Sequence, residues 1–245
     1  MDKAESGSSG GTLVMPGDVL YRGKNMIPGR GAMREGDEII AKVIGLKNVD
    51  KRVISVIPLA GAYVPKIGDY VIGEIVEVGL NHWMVDINSP YQAALIMVDL
   101  QQFVEKNEDI SKYYDLGDLI FAKITNVTKS KYINVTMKDP KCKKLIGGLV
   151  VHITPSKVPR LIGKKGSMIN MIKNMTKCSI LVGQNGRIWV KGQHEIIAAE
   201  AIYMVDKYSH TTGLTERISE FIKKELEEIG EKVEEKTKKE KEKKK

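Results

Sequence analysis

The sequence predicts a multidomain α+β protein: a small N-terminal β domain, a five-stranded β-barrel, a unit of order β-α-α-β-β-α, and a closing amphipathic helix. Three observations carry this prediction. First, the pair Gly-Asp followed by a run of mostly apolar residues recurs at Gly17, Gly36, Gly68 and Gly117, and each occurrence reads as a turn feeding a strand. The unequal intervals exclude a solenoid and fit small barrels. Second, beyond Pro140 the pattern acquires a 3.6-residue period, with Met168, Ile169, Met171, Ile172 and Met175 on one stripe. Third, no acidic residue lies between Asp139 and Glu195, whereas eleven basic ones do.

That segment alone outweighs the formal net charge of +8 on the 245-residue chain, so the remainder is slightly acidic. A field of one sign concentrated on a folded segment points to a polyanion, because neutralising phosphates releases counterions. Hydrophobic residues make up 42% and charged residues 29%, without the ~18 uninterrupted apolar residues of a spanning helix. The sequence has no signal-peptide core, so the expectation is a cytoplasmic protein with no membrane partner. Cys142 and Cys178 are too few for a disulfide framework and lack zinc-site spacing. Both are expected as reduced thiols, with Cys178 in a core. His82, His152, His194 and His210 lie far apart, with no H-x-x-x-H spacing and no acidic pair in a motif. No catalytic residue, metal site or cofactor is therefore assigned, and the chain is read as a non-enzyme.

Taken in order, residues 1–11 are small and polar and are expected to be disordered. Residues 12–62 form the N-terminal β domain, with strands expected over 38–46 and 52–59. Residues 63–140 form the barrel, with strands at 70–78, 83–87, 93–98, 119–127 and 132–137, the strand count of an OB-fold. The polar stretch 99–115 reads as a long surface connection with a helical turn near Tyr113 and Tyr114. Residues 145–212 hold a strand at 149–153, a short segment between Pro155 and Pro159, and a helix from Ser167, which is placed as its cap. A hairpin over 179–190 turns at Asn185-Gly186, and an Ala-rich helix covers 195–208. An amphipathic helix at 213–236 follows, expected to pack on its own domain or else to dock on a partner subunit, and 237–245 read as a charged disordered tail.

The β-α-α-β-β-α order, with Gly163-Lys164-Lys165-Gly166 between its first two helices, is the arrangement of a KH domain. Its glycines remove the Cβ atoms that would hold a sugar-phosphate chain away. The start of the second helix, at Ser167, turns its N–H groups and dipole toward the phosphates, and Lys164 and Lys165 add cations. Bases are expected along a groove walled by Ile162, Met168, Ile169 and the hairpin. Lys157 and Arg160 are second-rank candidates, open between RNA contact and structure. A nucleotide-binding P-loop needs a longer G-x-x-x-x-G-K-[ST] spacing, which is absent.

The barrel resembles the RNA-binding OB domain named for the largest protein of the small bacterial ribosomal subunit, through 66–76, 83–87, 117–124 and 133–138. The aromatic and histidine positions of that family are replaced near Leu80 and Met97. This leaves His82, Trp83, Tyr91 and Tyr132 as stackers, Trp83 being open between core and RNA. Lys123, Lys129 and Lys131 are the barrel's RNA-binding cations. Trp189 is read as packed against a helix.

The three-module order, together with the phrases at 15–20, 56–61, 83–93, 157–168, 182–189 and 213–217, resembles the ribosomal RNA-processing protein four family, the RNA-binding cap subunits of the archaeal exosome. The resemblance covers about residues 12–230. It implies a non-catalytic subunit, three copies of which, alone or with a second cap protein, sit on a hexameric ring of phosphorolytic subunits. Such caps bind single-stranded RNA, favour A-rich tails and guide 3′ ends into the ring for degradation, and the N-terminal β domain is expected to hold the ring. The competing readings are a free-standing RNA-binding factor or RNA chaperone in translation and an exoribonuclease.

Overall fold

The structure is a computed structural model and describes residues 12–102, 110–209, 211 and 213–242, with side chains through Glu228. The expectations for 1–11 and 243–245 fall outside these residues. The chain forms two compact units, Met1–Gly61 and Ala62–Lys245.

In the first unit, β1 (Leu13–Val14), β6 (Gly45–Asp50), β7 (Val53–Pro58) and β3 (Ile27–Pro28) form one sheet, and β2 (Val19–Arg22), β5 (Glu38–Ala41) and β4 (Ala32–Glu35) form another. Their inward residues Val14, Leu20, Ile39, Ala41, Ile54 and Val56 make a small core. The strand expected over 38–46 is instead two strands. The chain bends at 42–44, so β5 pairs with β2 and β4 in one sheet while β6 pairs with β1 and β7 in the other. All four Gly-Asp pairs do start strands, and each glycine has positive φ (94°, 59°, 91° and 81°), a conformation other residues adopt at a cost.

The second unit opens with a closed barrel. β8 (Tyr70–Val78), β9 (His82–Asp86), β10 (Ala93–Ile96), β12 (Ile133–Thr136) and β11 (Leu119–Val127) follow one another around it, and β11 returns to β8. The β10–β12 pair is parallel and the other four are antiparallel. Alternation along β8 sends Val71 and Ile75 inward, where they meet Trp83, Val85, Leu95, Ile120, Ile124 and Val135. Trp83 is thereby settled as core: it is fully buried, its indole donates to the Tyr114 carbonyl at 2.9 Å, and its ring meets Tyr114 edge-on. The connection after residue 99 is more than surface. Leu100 and Ile110 are buried in the barrel core, and a short 3-10 turn covers Ile110–Lys112.

β13 (Lys143–Leu145) joins the barrel sheet on β11, so the segment leading to the next module is itself a strand. The KH fold follows: β14 (Leu149–His152), α1 (Val158–Ile162), α2 (Ser167–Thr176), β15 (Cys178–Val182), β16 (Arg187–Gly192) and α3 (Glu195–Tyr208), with the sheet ordered β14-β16-β15. Helix stripes from α2 and α3 cover that sheet through Met168, Ile169, Ile172, Ile197, Ala201 and Val205. Ser167 is not the cap: it is the first helical residue, and Gly166, in left-handed geometry, precedes it without a side-chain cap bond. α4 (Leu214–Glu242) buries Leu214, Ile218 and Ile222 against the same core. It extends six residues past the expected end at 236. Lysine and glutamate are good helix formers, and pairs such as Lys224–Glu228 (3.8 Å) lie one turn apart.

The barrel and the KH fold share an interface. Ile72, Phe121 and Leu145 on the outer face of the barrel pack against Trp189, with Tyr70, Leu119, Val150 and Leu181 around them. Trp189 therefore packs against the barrel and not against a helix, and its indole donates to the Gly147 carbonyl at 2.6 Å. The tip of the β15–β16 hairpin inserts beside β8. Asn185 is fully buried; its amide donates to the carbonyls of Ile72 (2.7 Å) and Ile87 (2.9 Å) and accepts from the Ile72 N–H at 3.3 Å. Arg187 adds a bond to the Asp86 carbonyl at 2.7 Å and an ion pair with its carboxylate.

Candidate nucleic-acid interface

The Gly163–Gly166 loop is built as single-strand clamping requires. Gly163 has φ 74° and ψ 177°, a region essentially restricted to glycine, and Gly166 is left-handed at φ 81°. A Cβ on Gly163 would stand 2.9 Å from the Met168 nitrogen, over the first turn of α2. Glycine keeps that turn uncovered. Lys164 and Lys165 are exposed, and neither has an ion-pair partner among the described residues. Beside the loop lies a groove of about 420 Å³ lined by Pro159, Arg160, Gly163, Lys164, Ser167, Met168 and Thr215.

The groove differs from the expected one. The hairpin is not a wall, because its tip is spent on the barrel; α4 contributes Thr215 instead. Ile162 and Ile169 pack toward the core. Arg160 remains at the groove and donates to the Thr211 carbonyl at 3.1 Å. Lys157 has partners within the fold: its ammonium holds the Asp206 carbonyl at 2.6 Å and the carboxylate at 3.4 Å.

The barrel residues do not form one cluster. His82 pairs across with Ile96 at one end of β9, whereas Tyr132 precedes Ile133, which pairs with Ala93 at the other end. Three residue steps of strand, about 10 Å, separate those ends. Lys129, Lys131 and Tyr132 are exposed on the β11–β12 turn, and the Lys131 ammonium lies 5.9 Å from the centre of the Tyr91 ring, itself 41% exposed. Tyr91 thus joins Lys131 and Tyr132 in space. The pairing of β10 with β12 brings them together, and spacing in the chain does not reveal it.

Lys123 is committed elsewhere. It donates to Asp139 at 3.1 Å and lies 5.4 Å from the Tyr70 ring, whose hydroxyl donates to the same carboxylate at 2.8 Å. The Lys141 N–H, the Tyr70 hydroxyl and the Lys123 ammonium together hold the Asp139 carboxyl down at about 2. Because its folded value lies below the ordinary 3.8, its stabilising effect is full above that value and is lost as pH falls through about 2. The expected result is that Asp139→Asn flattens the acid side of a denaturant-midpoint profile between those values. A profile parallel to that of the parent protein would contradict it.

No group of three His, Cys, Asp or Glu side chains that could hold a metal occurs among the described residues. No described helix is long and apolar enough to cross a membrane.

Comparison with known proteins agrees with this architecture. Residues 62–126 match the model described as the RRP4 S1 domain, and residues 148–196 match a KH domain model. The exosome complex component Rrp4 of Thermococcus kodakarensis is 48% identical over 228 residues, which is 89% of this chain and 88% of that protein. The chain belongs to the Rrp4 family. The Pyrococcus abyssi Rrp4 is 47% identical, over 90% of this chain and 85% of that protein. A crystal structure of a proposed exosome complex RNA-binding protein superposes with a TM-score of 0.63 at 39% identity, covering 68% of this chain and 98% of the other. The Rrp4 assignment matches the family resemblance of the sequence and places the S1 barrel and the KH fold in the expected order.

Proposed function

We propose that this chain is a non-catalytic cap subunit of the exosome that binds single-stranded RNA, favours A-rich tails and delivers 3′ ends to a phosphorolytic ring for degradation in the cytoplasm. The observation that carries the RNA-binding role is the bare Gly163–Gly166 loop, with two exposed cations beside an open groove, in a member of the Rrp4 family. Docking on a hexameric ring, as three copies or mixed with a second cap protein, is supported by the N-terminal unit. Leu13, Met15, Ile27, Ile44 and Ile57 are each more than half exposed there and so are open to a partner.

Size-exclusion chromatography with purified ring subunits tests the assembly. The expected result is co-elution of the full chain with the ring, and loss of co-elution on Ile27→Glu with Ile57→Glu while the variant remains folded. A full chain that never associates with the ring, yet binds RNA, would instead identify a free-standing RNA-binding factor. Decay of RNA by the isolated chain would overturn the non-catalytic reading.

A further inference from the structure

We propose that Lys141, Lys143 and Lys191 form a second phosphate-binding track for RNA, along the joint between the barrel and the KH fold and separate from the Gly163–Gly166 loop. The inference rests on the RNA-binding reading above. Lys143 pairs with Phe121 on the outer face of the barrel sheet, and its ammonium lies 5.6 Å from the centre of the Trp189 ring. Lys141, two residues earlier, lies 5.4 Å from the Tyr70 ring on that same face. Lys191 reaches the joint from β16, donating to the Ile146 carbonyl at 2.8 Å beside the turn that takes the Trp189 indole. All three are exposed.

Their charge is not spent internally. Two nearby carboxylates are occupied, Asp139 by Lys123 and Asp118 by Lys144, and none of the three lysines has an ion pair among the described residues. Contact with an aromatic face holds an ammonium in place without neutralising it. Trp189 is 5% exposed and Tyr70 stacks on Phe121, so neither ring offers a free face to a base. The track therefore contacts phosphates and is indifferent to sequence. Position adds to this. The three lysines stand where the two modules meet, and the Asn185 contacts keep that line fixed.

The competing explanation is that lysines on the edge strand β13 only deter pairing with another sheet. Charge reversal separates the two, because glutamate also guards an edge. The full chain and its Lys141→Glu/Lys143→Glu/Lys191→Glu and Lys141→Gln/Lys143→Gln/Lys191→Gln variants are titrated with labelled oligoadenylates of about 4 and about 20 nucleotides over a salt series; the shorter matches the ~4 nucleotides a KH groove holds. Binding of the longer RNA is expected to weaken about tenfold at low salt in the Gln variant, and further in the Glu variant. The salt slope of the Gln variant should fall by about two, at roughly 0.7 per phosphate contact on a single strand. The short RNA should bind within about twofold of the parent. Unchanged long-RNA binding and slope in both variants would overturn the track. If Lys164→Asp/Lys165→Asp still weakens binding in that case, the RNA-binding reading survives; if it does not, both fail. The Gln variant keeps the test decisive if charge reversal disturbs folding, and self-association of the Gln variant with unaltered RNA binding would assign the lysines to edge protection alone.

Discussion

Replacing Asn185 by leucine is expected to cost about 3–5 kcal/mol, the largest stability loss of any substitution considered for this protein, because it strands several buried polar groups at once. The Ile72 N–H and the carbonyls of Ile72 and Ile87 lose their partner, in a place where Asn185 itself has no exposed surface. Each unpaired buried group costs roughly 1–3 kcal/mol, and water cannot replace the amide without opening the hairpin tip from the barrel. Barrel and KH fold have separate cores, so the variant should also lose cooperativity. In calorimetry the barrel and KH fold are expected to melt together in the parent and as two transitions in Asn185→Leu, the first roughly 10 °C lower at ~2–4 °C per kcal/mol for a unit of this size. A single transition within a degree or two of the parent would show that the packing around Trp189, Ile72, Phe121 and Leu145 holds the joint without the amide.

Charge reversal at the loop, Lys164→Asp with Lys165→Asp, is expected to give the largest functional loss. Both side chains are exposed and free of intramolecular partners among the described residues, so the fold should keep its unfolding midpoint. Removing two phosphate contacts lowers the salt slope of RNA binding by about one to two units, and placing carboxylates beside the groove repels the strand as well. Fluorescence anisotropy with a short single-stranded RNA across a salt series measures both. Unaltered affinity and slope would place the clamp elsewhere, the exposed Lys131, Tyr132 and Tyr91 group on the barrel being the next site to test.

The Gly163–Gly166 loop was legible because its chemistry is local. A glycine-bounded turn between two periodic segments needs no distant partner to take its shape, and Lys164 and Lys165 emerge exposed as expected. Lys123 and Lys157 are candidates for the same reason, as cations near a motif, Lys157 with a structural role equally open, but their partners in the fold are not local. Asp139 and Asp206, 16 and 49 residues away, claim them. Asn185 shows the limit most clearly. Asn-Gly announces a hairpin turn, and the turn is there, but a turn residue is expected at the surface. This one is the plug that fastens two modules together.

Periodicity, turn chemistry and the distribution of charge, all properties of neighbours along the chain, determined the module order, the strands begun by each Gly-Asp pair, the KH fold and its exposed basic loop. Tertiary structure alone decided which polar side chains stay exposed and which pair within the fold, that Trp83 belongs to the core, and that Trp189 and Asn185 couple the barrel to the KH fold. The reason is physical: a cation or amide binds whatever lies within about 3 Å of it, and across a closed barrel or a domain joint that neighbour comes from a part of the sequence no local pattern identifies.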